Sequence, residues 1–167
     1  DILHDGFDCV IRTGALPEDG VIARPLGKLT MVNCASPHYL TRFGYPQSPD
    51  DLTSHAIVRY TPHLGVHPLG FEVASVNGVQ WFKSGGMLTV NSSENYLAAG
   101  LAGLGIIQIP RIAVREALRA GRLIEVLPGY RAEPLSLSLV YPQRRELSRR
   151  VNLFMQWLAG VMKEYLD

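Results

Sequence analysis

Apolar residues fall along the chain in short runs that alternate between two periods. Asp8 to Arg12 is a β-branched run ended by Thr13-Gly14, which predicts a buried strand with a polar tip. Gly20 to Leu26 and Lys28 to Ala35 predict two more strands, with Gly27 between them. Ser36-Pro37 then opens a short helix through Phe43, because Ser36 can cap it and proline is tolerated at the first helical position. A helical turn from Asp50 or Asp51 and a strand over Ala56 to Tyr60 follow. Thr61 to Gly70, with two Pro, two Gly and two His, predicts a mobile loop.

The pattern continues with a hairpin. Phe71 to Val76 and Val79 to Lys83 flank Asn77-Gly78, a pair suited to the two positive-φ positions of a tight turn. After a strand at Met87 to Val90, Asn91 starts a helix through about Ala102, and Glu94 three residues on has the logic of a capping box. Gly103 and Gly105 end that helix, Ile106 to Ile109 is a buried strand, and Pro110 opens a helix to about Ala120 that stops at Gly121. Arg122 to Val126 and Leu135 to Tyr141 are strands. The final helix, about Ser148 to Leu166, carries Val151, Phe154, Trp157, Leu158, Val161, Met162 and Tyr165 as one apolar stripe. Alternating strands and helices predict an α/β fold with mostly parallel sheet.

Composition narrows this picture little. The chain of 167 residues, 47% hydrophobic, is long enough for one domain or two small lobes. A formal net charge of +1 lacks the basic excess of a DNA-binding domain. Arg144, Arg145, Arg149 and Arg150 read as the solvated start of the last helix. Cys9 and Cys34, each in an apolar run, read as buried free thiols. No apolar run approaches the roughly 18 residues of a membrane span. No secretion signal is visible, and the abrupt start at Asp1-Ile2-Leu3-His4 reads as that of a fragment.

Catalytic signatures are missing. There is no Gly-x-Ser-x-Gly elbow, Walker loop, His-Glu-x-x-His or Cys-x-x-Cys. Gly100, Gly103 and Gly105 have the dinucleotide spacing in reverse, after a helix and before a strand, so they read as a helix stop and a close-packing device. Of the histidines, His4, His38, His55, His63 and His67, only His63 and His67 share a loop, too few ligands for a metal. Neither metal nor cofactor is implied. Asn91-Ser92-Ser93 matches a glycosylation sequon, but helix capping explains it better.

What remains is a set of helix starts and strand ends able to hold a small anion. Ser36-Pro37 and Asn91-Ser92-Ser93 each follow an apolar strand and open a helix, where hydroxyls, N–H groups and the positive helix end suit a carboxylate. Arg12-Thr13-Gly14 offers similar donors at the end of the first strand.

The order of the segments resembles the effector-binding domain of LysR-type transcriptional regulators. Asp5-Gly6-Phe7-Asp8-Cys9-Val10-Ile11-Arg12-Thr13-Gly14 carries the resemblance, followed by Val21 to Gly27 and Val32-Asn33-Cys34-Ala35-Ser36-Pro37-His38-Tyr39-Leu40. It continues through Val90-Asn91-Ser92-Ser93-Glu94 and Gly103-Leu104-Gly105-Ile106-Ile107-Gln108-Ile109-Pro110. It closes with Gly121-Arg122-Leu123, Val126-Leu127-Pro128 and Leu139-Val140-Tyr141-Pro142.

The resemblance implies a two-lobed fold like the type 2 periplasmic binding proteins, with a small-molecule effector in the cleft between lobes. Residues 1–31 plus 139–167 would form the first lobe, and 32–138 the second. Arg12, Thr13 and Gly14 would face the cleft from one side, and Ser36, Pro37, Asn91, Ser92, Ser93 and Pro110 from the other. It further implies a cytoplasmic homodimer or tetramer that meets DNA through a helix-turn-helix part this chain lacks. The family's opening strand–helix–strand is also missing, which leaves the first lobe incomplete. A solute-binding protein of a transport system would share the fold, and upstream sequence would separate the two; an enzyme would need a nucleophile and base that the chain does not offer.

Overall fold

The computed structural model describes residues 6–14, 20–61, 70–143 and 147–166. His4, His63, His67, Arg144 and Arg145 lie outside the described residues, as does most of the loop expected between Thr61 and Gly70. The chain divides into two compact units. Unit 1 comprises Asp1–Thr30 and Pro134–Asp167, and unit 2 comprises Met31–Glu133. The second division falls before the strand Leu135–Pro142, whereas the resemblance implies a boundary between 138 and 139.

Unit 1 is built on three antiparallel strands. β1 (Val10–Thr13) and β2 (Val21–Leu29) flank β10 (Leu135–Pro142) on either side. Gly27 does not separate two strands as its sequence position implies. β2 runs through it, with an irregularity in register where Leu137 faces Gly27 and Ser138 faces Pro25. Helix α4 (Arg149–Met162) follows, its first turn capped by the Ser148 hydroxyl, which accepts from the Val151 N–H. Its apolar stripe splits. Met155 is buried with Val151, Leu158 and Met162 partly covered beside it, while Phe154, Trp157, Val161 and Tyr165 are exposed.

Unit 2 has strands in both directions. β3 (Met31–Ala35) runs antiparallel to β8 (Ile107–Pro110) and to β9 (Ile124–Glu125). β4 (Ala56–Tyr60) runs parallel to β7 (Gly85–Val90), and a parallel bridge from Ile57 to Ile106 joins it to the strand beside β3. Pairing in the described residues is therefore mostly antiparallel. The alternation of strands and helices fixes the α/β class but not the strand direction, which depends on how each crossover returns.

Side-chain alternation gives this unit two cores. On one face Val32, Cys34, Val58, Ile107 and Ile109 pack against α2 (Ser93–Leu101) and α3 (Arg111–Arg119) through Tyr96, Ala99, Val114 and Ala117. On the other face Ala35, Ile57 and Ile106 pack with Tyr39 and Leu40 of α1 (Pro37–Phe43), Leu52 of the 3-10 helix Pro49–Ser54, and Phe71 and Val73. Gly105 is essential to this layering. A Cβ there would stand 2.7 Å from the Ala56 carbonyl oxygen, so only glycine lets the two strands approach.

The hairpin forms as β5 (Phe71–Ser75) and β6 (Gly78–Phe82), with its turn one residue earlier than Asn77-Gly78 predicts. Ser75 pairs with Gly78, so Val76 and Asn77 occupy the loop, and only Gly78 of the pair has positive φ. The Ser75 hydroxyl fixes this register by accepting from the Asn77 N–H and donating to the Gly78 carbonyl. The cap of α2 shifts in the same way: Ser92, not Asn91, accepts from the Asn95 N–H.

Candidate functional site

Strand directions divide the sequence-predicted site residues of unit 2. Met31, at the start of β3, pairs with Pro110 at the end of β8, and Tyr60 pairs with Val90 at the ends of β4 and β7. Pro110 and the Asn91-Ser92-Ser93 start of α2 therefore share one edge of the strand array. Because β3 runs the opposite way, Ser36 and Pro37 stand at the other edge. Ser36 is also buried, its hydroxyl accepting from the Tyr39 N–H at the start of α1. A Cβ on Gly103 would come within 3.0 Å of that hydroxyl oxygen. Ser36 is thus enclosed as a cap, and Pro37 is exposed beside it.

The edge at Asn91 is held rigidly. Tyr96, one turn into α2, is buried, and its hydroxyl accepts from the Gln108 backbone N–H at 2.8 Å. Burial pushes its phenol up to about 12, so it stays neutral. Gly100 lets α2 lie close over Ile107, whose Cδ1 would be 2.6 Å from an added Cβ. Thr61, which the sequence pattern did not single out, joins this edge by donating its N–H to the Val90 carbonyl. Its only sequence signal is its place at the end of a strand that runs parallel to β7.

A polar network underlies the same edge. The side chain of Asn33, fully buried, donates to the Leu127 and Tyr130 carbonyls at 3.1 and 2.9 Å. Its carbonyl oxygen accepts from Gln108 Nε2 at 3.0 Å. The Gln108 amide also pairs with both backbone groups of Glu72. Leu127, the one non-glycine at positive φ among the described residues, is held there. Every Asn33 amide group is satisfied, so the network is a rigid brace rather than an open ligand contact.

Electrostatics leave few free charges here. Arg111 and Arg131 both reach Glu125, at 2.9 and 2.6 Å. At the start of α2 the anion present is the chain's own. The Glu94 backbone N–H, with the Ser92 and Ser93 hydroxyls, holds the Glu94 carboxyl below its ordinary range. Glu94 is exposed, so its side chain can swing away.

In unit 1, Arg12 and Thr13 are exposed at the end of β1, facing Ser138 and Leu137 of β10. The Gly14 N–H donates to the Ser136 carbonyl at 3.1 Å, which leaves it occupied. Cys9 is partly covered and Cys34 fully buried, both free thiols; burial pushes the Cys34 thiol up to about 12. No group of three His, Cys, Asp or Glu among the described residues is placed to hold a metal ion. No helix among them is long and apolar enough to cross a membrane.

The described residues form an α/β chain in two units, with capped helix starts at strand ends and an internally braced polar edge in unit 2. The family model described as "LysR substrate binding domain" matches residues 1–163. The HTH-type transcriptional regulator YhjC of Escherichia coli K12 is 99% identical over the whole of this chain, which covers 56% of that protein. An HTH-type transcriptional repressor of Pseudomonas aeruginosa UCBPP-PA14 is 34% identical over 98% of this chain and 52% of its own length. Among solved structures, the CrgA regulatory domain, from a LysR-type regulator of Neisseria meningitidis, matches with a TM-score of 0.80. It is 24% identical, over 96% of this chain and 78% of that one. The chain belongs to the LysR substrate-binding domain family. It spans about half the length of the curated relatives it matches.

Proposed function

We propose that this chain is the effector-sensing part of a cytoplasmic, homo-oligomeric transcriptional regulator whose DNA contacts are made by a helix-turn-helix region. The relatives are named as HTH-type transcriptional regulators, not as transport proteins or enzymes, and this favours sensing over solute delivery or catalysis. Binding of a small organic anion would shift the balance between two states of the oligomer by its differential affinity for them.

The observation that carries the reading is the Asn91-Ser92-Ser93 edge. There a helix start is fixed by the Tyr96–Gln108 bond and capped by the Ser92 hydroxyl, and the local donors draw the exposed Glu94 carboxyl below its ordinary range. An effector carboxylate would take that place as Glu94 swings out, with Pro110 and Thr61 beside it. Arg12 and Thr13, exposed at the end of β1, are proposed as a separate pair of effector contacts on unit 1, and Ser36 and Pro37 stand at the opposite edge of unit 2.

A thermal-shift screen of small carboxylates on the intact regulator tests this, since a ligand that binds the native state raises the midpoint. Ser92→Ala and Arg12→Ala should each weaken the selected acid about tenfold, the scale of one lost charge-assisted hydrogen bond. Glu94→Gln should tighten it by removing the internal competitor. If all three variants bind the acid as the parent does, the edge is not the effector site.

A further inference from the structure

A concave space lies in unit 2 beneath the β5–β6 hairpin, away from the α2 edge. It is a cavity of about 350 Å3, open to solvent, between the hairpin's inner face, the start of the 3-10 helix and the Gly129–Tyr130 segment. Its volume falls in the range of small-molecule sites, roughly 300–1,000 Å3. Val73 and Gln80 face one another across the hairpin, as do Phe71 and Phe82, so one strand face supplies both an apolar floor and a polar wall.

The chemistry of the lining is selective. Among the described residues Asp50 is the only charged side chain on it, and no lysine or arginine lines it. The Asp50 carboxylate, the Gln80 amide and the Tyr130 hydroxyl have no hydrogen-bond or ion-pair partner among the described residues. Phe82, Pro49 and Tyr130 provide flat apolar surface beside them. A carboxylate that shares a cavity lining with two aromatic rings, without a lysine or arginine among the described lining residues, disfavours anions and favours a cation with a planar body.

We propose that this cavity is a second ligand site, for a small aromatic or alkyl amine. The ammonium donates to Asp50, the apolar body lies against Phe82 and Tyr130, and Gln80 selects the polar end of the molecule. The site is independent of the α2 edge: it takes the opposite charge, and its lining includes neither Asn91, Ser92 nor Pro110. The proposal does not rest on the effector reading above.

Isothermal titration of the intact protein with tyramine, 4-ethylphenol and 4-hydroxyphenylacetate tests it, with amide NMR shifts to locate the contact. Tyramine should bind and shift the Gln80 side-chain amide, and the acid should bind at least tenfold more weakly. Asp50→Asn should weaken tyramine at least tenfold, while Ser92→Ala leaves it unchanged. Should Asp50→Asn fail to fold, Gln80→Ala and Tyr130→Phe carry the test, each expected to weaken tyramine about threefold or more. The proposal is overturned if tyramine leaves the Gln80 amide unshifted, if the acid binds as well, if the lining variants that fold bind as the parent does, or if Ser92→Ala abolishes binding.

Discussion

The two units solve the problem of burying apolar surface in different ways. Unit 2 places apolar side chains on both faces of its strands and covers each face, with Val32, Cys34, Phe71, Ile106, Ile107 and Val114 all at 0% exposure. Among the described residues, unit 1 has one three-stranded sheet and one helix. Leu139, Val140 and Met155 are buried, yet Leu153, Phe154 and Trp157 are 56%, 48% and 60% exposed on the same helix. Two covered faces make unit 2 the more stable body, and unit 1 the one expected to open first. A tryptophan in each unit, Trp81 and Trp157, lets fluorescence follow the two separately.

The largest effect should come from the core of unit 2. Phe71→Ala removes a fully buried ring from the hairpin's inner face and should cost about 3–5 kcal/mol. Urea unfolding of a Trp157→Phe background, read through Trp81, measures it. A cost near that of an exposed substitution would mean that the hairpin is not docked in solution. Next comes Asn33→Leu, which keeps volume but strips partners from the Leu127 and Tyr130 carbonyls and from Gln108. Leaving buried groups unpaired should cost on the order of 2–3 kcal/mol. Urea unfolding should show this loss through Trp81 in the Trp157→Phe background, and not through Trp157 in a Trp81→Phe background.

How much of this was legible in the residues follows from the range of each interaction. The helix starting at Ser36-Pro37, the strand Ala56 to Tyr60 and the Gly121 stop depend on neighbours within a turn, and the structure has each of them. The hairpin turn and the α2 cap each lie one residue from the sequence expectation because the Ser75 and Ser92 hydroxyls accept from the Asn77 and Asn95 N–H groups and fix the turn and the helix start there. Strand direction was not legible, since periodicity records which face is apolar and not which way the chain returns. That gap also explains why Ser36 and Asn91, alike as motifs, stand at opposite edges. The Asn33–Gln108 brace was equally hidden, because it joins residues far apart in sequence through a register that only the fold sets.

A smaller effect, again confined to unit 2, comes from His55. Its imidazole is buried, with Nδ1 3.0 Å from the Tyr39 hydroxyl, which also accepts from the Ala56 N–H. Burial holds His55 below its usual 6.5, partly opposed by the Asp51 charge. The unfolded chain therefore takes up a proton at a higher pH than the folded one does. This contribution to stability is complete above about 6.5 and declines as the pH falls towards the lower folded value. Urea midpoints at Trp81 between pH 8 and pH 5 should drop, and His55→Gln should flatten that slope. An unchanged slope in the variant would place the titrating group elsewhere.

The smallest expected effect tests the other side of the comparison. Trp157 is the largest apolar side chain on the open face of α4, and it touches Phe154 in a tilted ring pair at 5.8 Å. Little of its surface is removed from water, so Trp157→Ser loses mainly that pair, about 0.5–1 kcal/mol. Chemical denaturation followed by the far-ultraviolet helix signal reads the change. A loss above about 2 kcal/mol would show that this face is covered in solution. The contrast between a self-sufficient unit 2 and an open unit 1 would then describe the isolated chain and not its working state. A loss near zero would place the weaker body in unit 1 and locate its stability in the strand ladder of β1, β10 and β2, where Leu139 and Val140 are fully buried.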